Sequence, residues 1–121
     1  MASIKGPDFV TLQVRDLEAS RHFYGDVLKL KPSKETRPNA YAFSTEPISF
    51  AIRKAGVNLD AVPKLGYGMI LWFLADDSAA LYQELKGAGV PMAQDLADGP
   101  FGKMFTFRDP DGYEITVHDR G

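Results

Sequence analysis

The stretch Phe9-Val-Thr-Leu-Gln-Val-Arg-Asp-Leu-Glu-Ala-Ser-Arg-His-Phe-Tyr24 joins two hydrophobic periodicities with almost no spacer. From Phe9 to Val14 the pattern alternates: Val10, Leu12 and Val14 share one face, and Phe9, Thr11 and Gln13 share the other, as in a half-buried strand. From Leu17 onward, Leu17, Ser20, Phe23, Tyr24, Val27 and Leu28 fall on one stripe at helical spacing, and Asp16 stands where an N-cap belongs. The helix stripe therefore covers the Val10/Leu12/Val14 face, which leaves Phe9, Thr11 and Gln13 looking away from it.

Glycine, proline and charge at 29–39 predict a short irregular strand, followed by strands at Ala40–Ser44 and Ile48–Arg53. A linker at about 56–66 comes next, and then the order restarts. Met69–Leu74 reads as an apolar strand and Asp76-Asp77 as a cap for a helix with Leu81, Leu85 and Ala88 on one face. Gly89-Val90 reads as the stop of that helix. Strands around Pro91–Leu96, Lys103–Arg108 and Tyr113–His118 complete the second set, with Asp109-Pro-Asp-Gly112 as a hairpin turn. The repeat predicts an α+β fold, a single domain over 1–121 with one βαβββ module at about 5–55 and another at about 67–121.

Composition narrows the function. The chain has 121 residues, 25% of them charged, with 14 basic and 16 acidic side chains and no cysteine. The sequence pI is about 5.6, so no basic field exists to displace counterions from nucleic acid. No apolar run approaches the ~20 residues of a membrane span. Without cysteine there is no thiolate chemistry, and a reducing cytoplasm is the expected setting.

Val14-Arg-Asp-Leu-Glu-Ala-Ser-Arg-His-Phe-Tyr24, Asp77 through Gly89-Val90, and Phe107-Arg-Asp-Pro-Asp-Gly-Tyr-Glu-Ile115 together resemble the superfamily of glyoxalase I, bleomycin-resistance proteins and extradiol dioxygenases, the vicinal oxygen chelate proteins. The resemblance implies two βαβββ modules forming a cupped mixed sheet with helices on the outer face and a ligand cavity within. Metal-using members take His, Gln or Glu ligands from the first and last strands of each module. Those positions fall on Phe9, Ala51, Met69 and Thr116, none of which suits a divalent ion. No metal or other cofactor is therefore expected.

On the cup side the resemblance and the alternation put Thr11 and Gln13 from the first strand, with Ser49 and Arg53 beside Ala51. Met69, Leu71 and Phe73 are assigned there too, and Trp72 by parity to the helix side. Glu114, Thr116 and His118 share the cup face of the last strand. Glu114 and His118 lie about 13 Å apart, too far to exchange a proton directly. Each of these polar groups reads equally as wet sheet surface. Phe101, in the glycine-flanked loop Ala97–Gly102, reads as a movable lid or as a plain loop aromatic.

The expected activity is sequestration of an apolar or aromatic small molecule, such as an antibiotic, by a metal-free homodimer of the bleomycin-resistance type. The rival reading is a glyoxalase-like lyase or isomerase, or a dioxygenase.

Overall fold

In the computed structural model, which describes residues 2–34 and 37–120, the alternation at the start of the chain becomes strand β1 (Phe9–Val14). Asp16 caps helix α1 (Leu17–Arg21) by accepting from the Ala19 N–H at 3.1 Å. The helix continues as a π-helical turn over His22–Val27. Strands β2 (Ala40–Phe43) and β3 (Ser49–Lys54) follow, and β3 lies between the other two, parallel to β1 and antiparallel to β2. Register pairs Val10 with Phe50 and Leu12 with Ile52, so these residues share the helix-covered face. Tyr24 packs there against Phe50 and Phe43, at ring-centroid distances of 5.0 and 6.4 Å.

The irregular strand expected at 29–39 shrinks to the isolated bridges Pro32↔Phe43 and Arg37↔Ala40. Proline explains the first, because Pro32 has no N–H to donate. Its neighbours carry the backbone bonds instead: Ser33 N–H donates to the Ala42 carbonyl at 2.9 Å, and Ser44 N–H to the Lys31 carbonyl at 2.8 Å.

A 3₁₀ turn at Leu59–Ala61 precedes strand β4, helix α2 (Ser78–Gly87) and strands β5 (Met92–Gly99), β6 (Gly102–Arg108) and β7 (Glu114–His118). Strand β4 covers Leu71–Leu74 only, two residues shorter at its start than the apolar run suggested. A turn precedes it, with Gly66 and Gly68 at positive φ and the Met69 N–H donating to the Gly66 carbonyl. The sheet order is β4-β7-β6-β5, with β4 parallel to β7 and the rest antiparallel.

Asp77, not Asp76, caps α2, accepting from the Ala80 N–H at 3.0 Å. The helix ends in a Schellman motif in which Val90 N–H donates to the Leu85 carbonyl and Gly89 N–H to that of Lys86, with Gly89 at φ +82°. The buried stripe is Ser78, Tyr82 and Leu85. Ala88, expected on that stripe, is the exposed C-cap, where the helix path has already ended.

The chain divides into two compact units, Met1–Leu59 and Asp60–Gly121, with the boundary inside the glycine- and proline-rich stretch. Each unit is a mixed sheet with one helical segment on it, an α+β arrangement. Among the described residues no helix is long and apolar enough to cross a membrane.

The turn between β6 and β7 is organised by the buried Asp109, whose Oδ1 accepts from the N–H groups of Asp111 (2.9 Å) and Tyr113 (2.8 Å). Asp109→Ala removes both acceptors from a shielded site. A loss of about 2–4 kcal/mol in unfolding free energy is expected, read by urea denaturation.

Candidate functional site

Pairing register decides which side chains of the second sheet see the helix. Tyr82 of α2 packs on Phe105 at 5.3 Å, so Phe105 marks the covered face. Phe105 pairs with Val117, which pairs in turn with Phe73, and Phe107 pairs with Ile115, which pairs with Leu71. Leu71 and Phe73 therefore lie on the helix side, contrary to the sequence expectation. Trp72 pairs with Thr116 and lies on the open face.

The misplaced parity has a single source. When the halves are aligned on their N-caps, Asp16 and Asp77, the counterpart of Phe9 is Ile70 rather than Met69, and the counterpart of Thr11 is Trp72. The registers agree, since Thr11 pairs with Ala51 as Trp72 pairs with Thr116. Counting from the cap would have found Trp72. Counting from the start of the apolar run did not.

The open face of the second unit carries three mutually contacting rings. Trp72 meets Phe101 edge-on at 5.6 Å and His118 at 5.6 Å, and Phe101 lies 6.0 Å from His118. Trp72 and Phe101 are 40% and 50% exposed, so the cluster offers aromatic surface to solvent or to a ligand. His118 Nδ1 lies 3.0 Å from the Arg120 carbonyl. A carbonyl only accepts, so Nδ1 is the donor in this bond.

Phe101 is not on a six-residue lid. Ala97, Asp98 and Gly99 pair with Met104, Lys103 and Gly102, so the loop is Pro100-Phe101 alone. The Phe101 carbonyl accepts from Arg120 N–H at 3.0 Å, and Asp119 accepts from Lys103 N–H (3.1 Å) and Ser78 N–H (3.2 Å). Gly102, at φ +89°, lies so close to the Asp119 carboxylate that any Cβ there would strike it. These bonds hold the phenyl ring beside Trp72.

Thr116 and Thr106 face each other behind the rings, with their hydroxyl oxygens 2.9 Å apart and both residues buried. Glu114 sits at the far end of β7, between Lys64 Nζ (3.7 Å) and Arg108 Nε (3.4 Å). Two cations flank this carboxylate, and the His118 ring belongs to a different cluster, so the two do not form a dyad.

In the first unit, Phe9, Thr11, Gln13, Ser49, Ala51 and Arg53 share the open face, as expected from the alternation. Gln13 is structurally engaged there, its Oε1 accepting from the Gly56 N–H at 2.9 Å.

A divalent ion of the kind the resemblance implies does not fit these residues. Phe9, Ala51 and Ile70 have no donor atom, and the Thr116 hydroxyl is committed to Thr106. Among the described residues no three His, Cys, Asp or Glu side chains converge.

Residues 6–117 match the family model described as Glyoxalase/Bleomycin resistance protein/Dioxygenase superfamily. No curated protein matches the chain in sequence. A protein of unknown function from Agrobacterium tumefaciens strain C58 superposes with a TM-score of 0.76 at 26% identity, covering 100% of this chain and 98% of that one. A glyoxalase-related enzyme from Fulvimarina pelagi gives 0.74 at 22% identity, covering 94% and 87%. A lactoylglutathione lyase from A. tumefaciens gives 0.68 at 19%, covering 98% and 96%. At the identities of these last two, the likeness carries the fold alone.

The threonine pair yields a measurable signature. Thr116→Val strands the Thr106 hydroxyl and should cost about 1–2 kcal/mol. Replacing both by valine should cost less than the sum of the single changes, a coupling that a double-mutant cycle in urea reads directly.

Proposed function

This chain belongs to the glyoxalase/bleomycin resistance protein/dioxygenase superfamily, and within it we propose that it binds an apolar or aromatic small molecule, such as an antibiotic, without a metal and without transforming it. One observation carries this reading. The positions that the family resemblance assigns to metal ligands bear Phe9, Ala51, Met69 (or Ile70, when counted from the helix cap) and Thr116, side chains that do not suit a divalent ion, while Trp72 and Phe101 expose aromatic surface on the open face of the second sheet. A surface of this kind suits ring stacking and desolvation, which need no reactive group.

Taken by itself, the open face of the first unit presents the polar side chains of Thr11 and Arg53, and a guanidinium can pair with an acidic group or stack on a ring. The enzymatic alternative, a lyase, isomerase or dioxygenase, needs an ion or an acid–base pair within hydrogen-bond reach. The Glu114 carboxylate, flanked by Lys64 and Arg108, supports neither requirement.

We also propose that the protein works as a homodimer in the cytoplasm. Strands β1 and β4 are edge strands of their sheets, and Phe9 and Leu74 on them are 62% and 64% exposed. An apolar edge strand is a template for pairing with another chain. A second copy supplies that cover. The lack of cysteine fits a reducing compartment.

Trp72 is the one tryptophan, so its emission reports on the site. Saturable quenching by at least one member of a panel of aromatic antibiotics and metabolites is expected, with affinity reduced about tenfold, or about 1.4 kcal/mol, by Phe101→Ala. Quenching that Phe101→Ala leaves untouched would sink the assignment. So would stoichiometric zinc, nickel, manganese or iron in protein purified without tag or chelator. Light scattering on a sizing column should give twice the 13.3 kDa chain mass.

A further inference from the structure

The ring cluster of the second unit is not purely apolar, because two of its three rings carry nitrogen. Thr116 stands opposite Trp72 in the ladder and His118 opposite Leu74, so indole and imidazole are diagonal neighbours on the open face. Their centroids lie 5.6 Å apart.

The imidazole is held in place from behind. Strand β7 lies between β4 and β6, so His118 is paired on both sides, with Leu74 and with Met104. Its carbonyl accepts from the Ala75 N–H at 2.8 Å, and its ring Nδ1 donates to the Arg120 carbonyl at 3.0 Å. A side chain anchored in this way loses little freedom when a ligand arrives.

Each of the two rings keeps one polar atom unused. Among the described residues nothing accepts from the Trp72 indole N–H, and nothing bonds to His118 Nε2. The indole nitrogen can only donate. With Nδ1 donating, Nε2 of a neutral imidazole can only accept. Trp72 is 40% exposed, so water serves these atoms until a ligand displaces it, and a ligand group that cannot replace those bonds loses affinity.

Few substituents answer both atoms. An ether oxygen accepts from the indole and has no proton for the imidazole. An aromatic amine donates to the imidazole, but its lone pair is drawn into the ring and accepts poorly. A carboxylate lacks the proton, and an ammonium lacks the lone pair. A hydroxyl does both at once. Two hydrogen bonds of about 2.9 Å to one oxygen span up to about 5.8 Å, which matches the separation of the rings.

Taking this cluster as the binding surface proposed above, we infer that it selects a neutral hydroxylated aromatic, with the ring of the ligand on Trp72 and Phe101 and its hydroxyl accepting from Trp72 Nε1 and donating to His118 Nε2. His118 is then a specificity-determining residue, and Phe101 supplies surface alone.

Phenol, anisole, aniline and toluene share a ring and differ in one substituent, and they test this on the intact protein. The chain has one tryptophan, so its indole N–H gives a single resonance in a proton–nitrogen NMR spectrum. Each compound should shift that resonance saturably, with phenol at least about threefold tighter than the other three. His118→Phe keeps a ring and removes both nitrogens, and it should bring phenol down to the affinity of anisole. Anisole or aniline binding the wild-type protein as tightly as phenol overturns the assignment without any variant, and so does a phenol preference over anisole that survives in folded His118→Phe. Phenol and toluene binding alike overturns the hydroxyl contact alone, whereas no saturable shift with any of the four overturns the binding surface itself.

Discussion

The parallel register of β4 on β7 governs the chemistry of the second unit. Side chains in a strand alternate sides, so a slip of one residue would exchange every group on the two faces. With Phe73 opposite Val117 and Trp72 opposite Thr116, the helix receives leucine and phenylalanine and the open side receives indole, imidazole and hydroxyl. Burial of Phe105, Phe107, Ile115 and Val117 beneath α2 fixes which face of β7 is covered, and β4 follows that face through Leu71↔Ile115 and Phe73↔Val117.

Much of this was legible in the residues. The Phe9–Val14 alternation, the stripe through Phe23 and Tyr24, both aspartate caps and the Asp109–Gly112 turn are local signals, each tied to one backbone geometry. The facing of Leu71, Trp72 and Phe73 was not legible in the same way. A strand apolar on both sides contains no alternation to read, so only an external ruler such as the distance from the cap fixes its phase. The extent of the Phe101 loop was missed for a related reason: glycines and a proline looked like flexible chain, whereas pairing from the neighbouring strand reaches Gly99 and Gly102.

The two halves share an architecture but present unlike surfaces. In the first, the open face carries short and polar groups such as Thr11, Ser49 and Ala51, while the structured polar network lies beside the helix around Arg21 and Glu18. In the second, the open face carries the Trp72, Phe101 and His118 rings, while the helix side packs Phe73, Phe105 and Phe107 and includes the Tyr82 hydroxyl, which reaches Asp95 at 2.8 Å. Repeating a supersecondary unit conserves the caps and turns that make it fold and leaves the outward-facing positions free to diverge.

Asp119, just past β7, ties together pieces of backbone that are distant along the chain. One carboxylate oxygen holds the start of β6 and the other holds the first residue of α2. A load applied at the Pro100-Phe101 tip is therefore shared with the helix through a single acidic group. The ring cluster gains its stiffness from a tether outside it, in the way a guy-line steadies a mast, and slackening that tether would loosen the rings while the hydrophobic layer beneath them kept its shape.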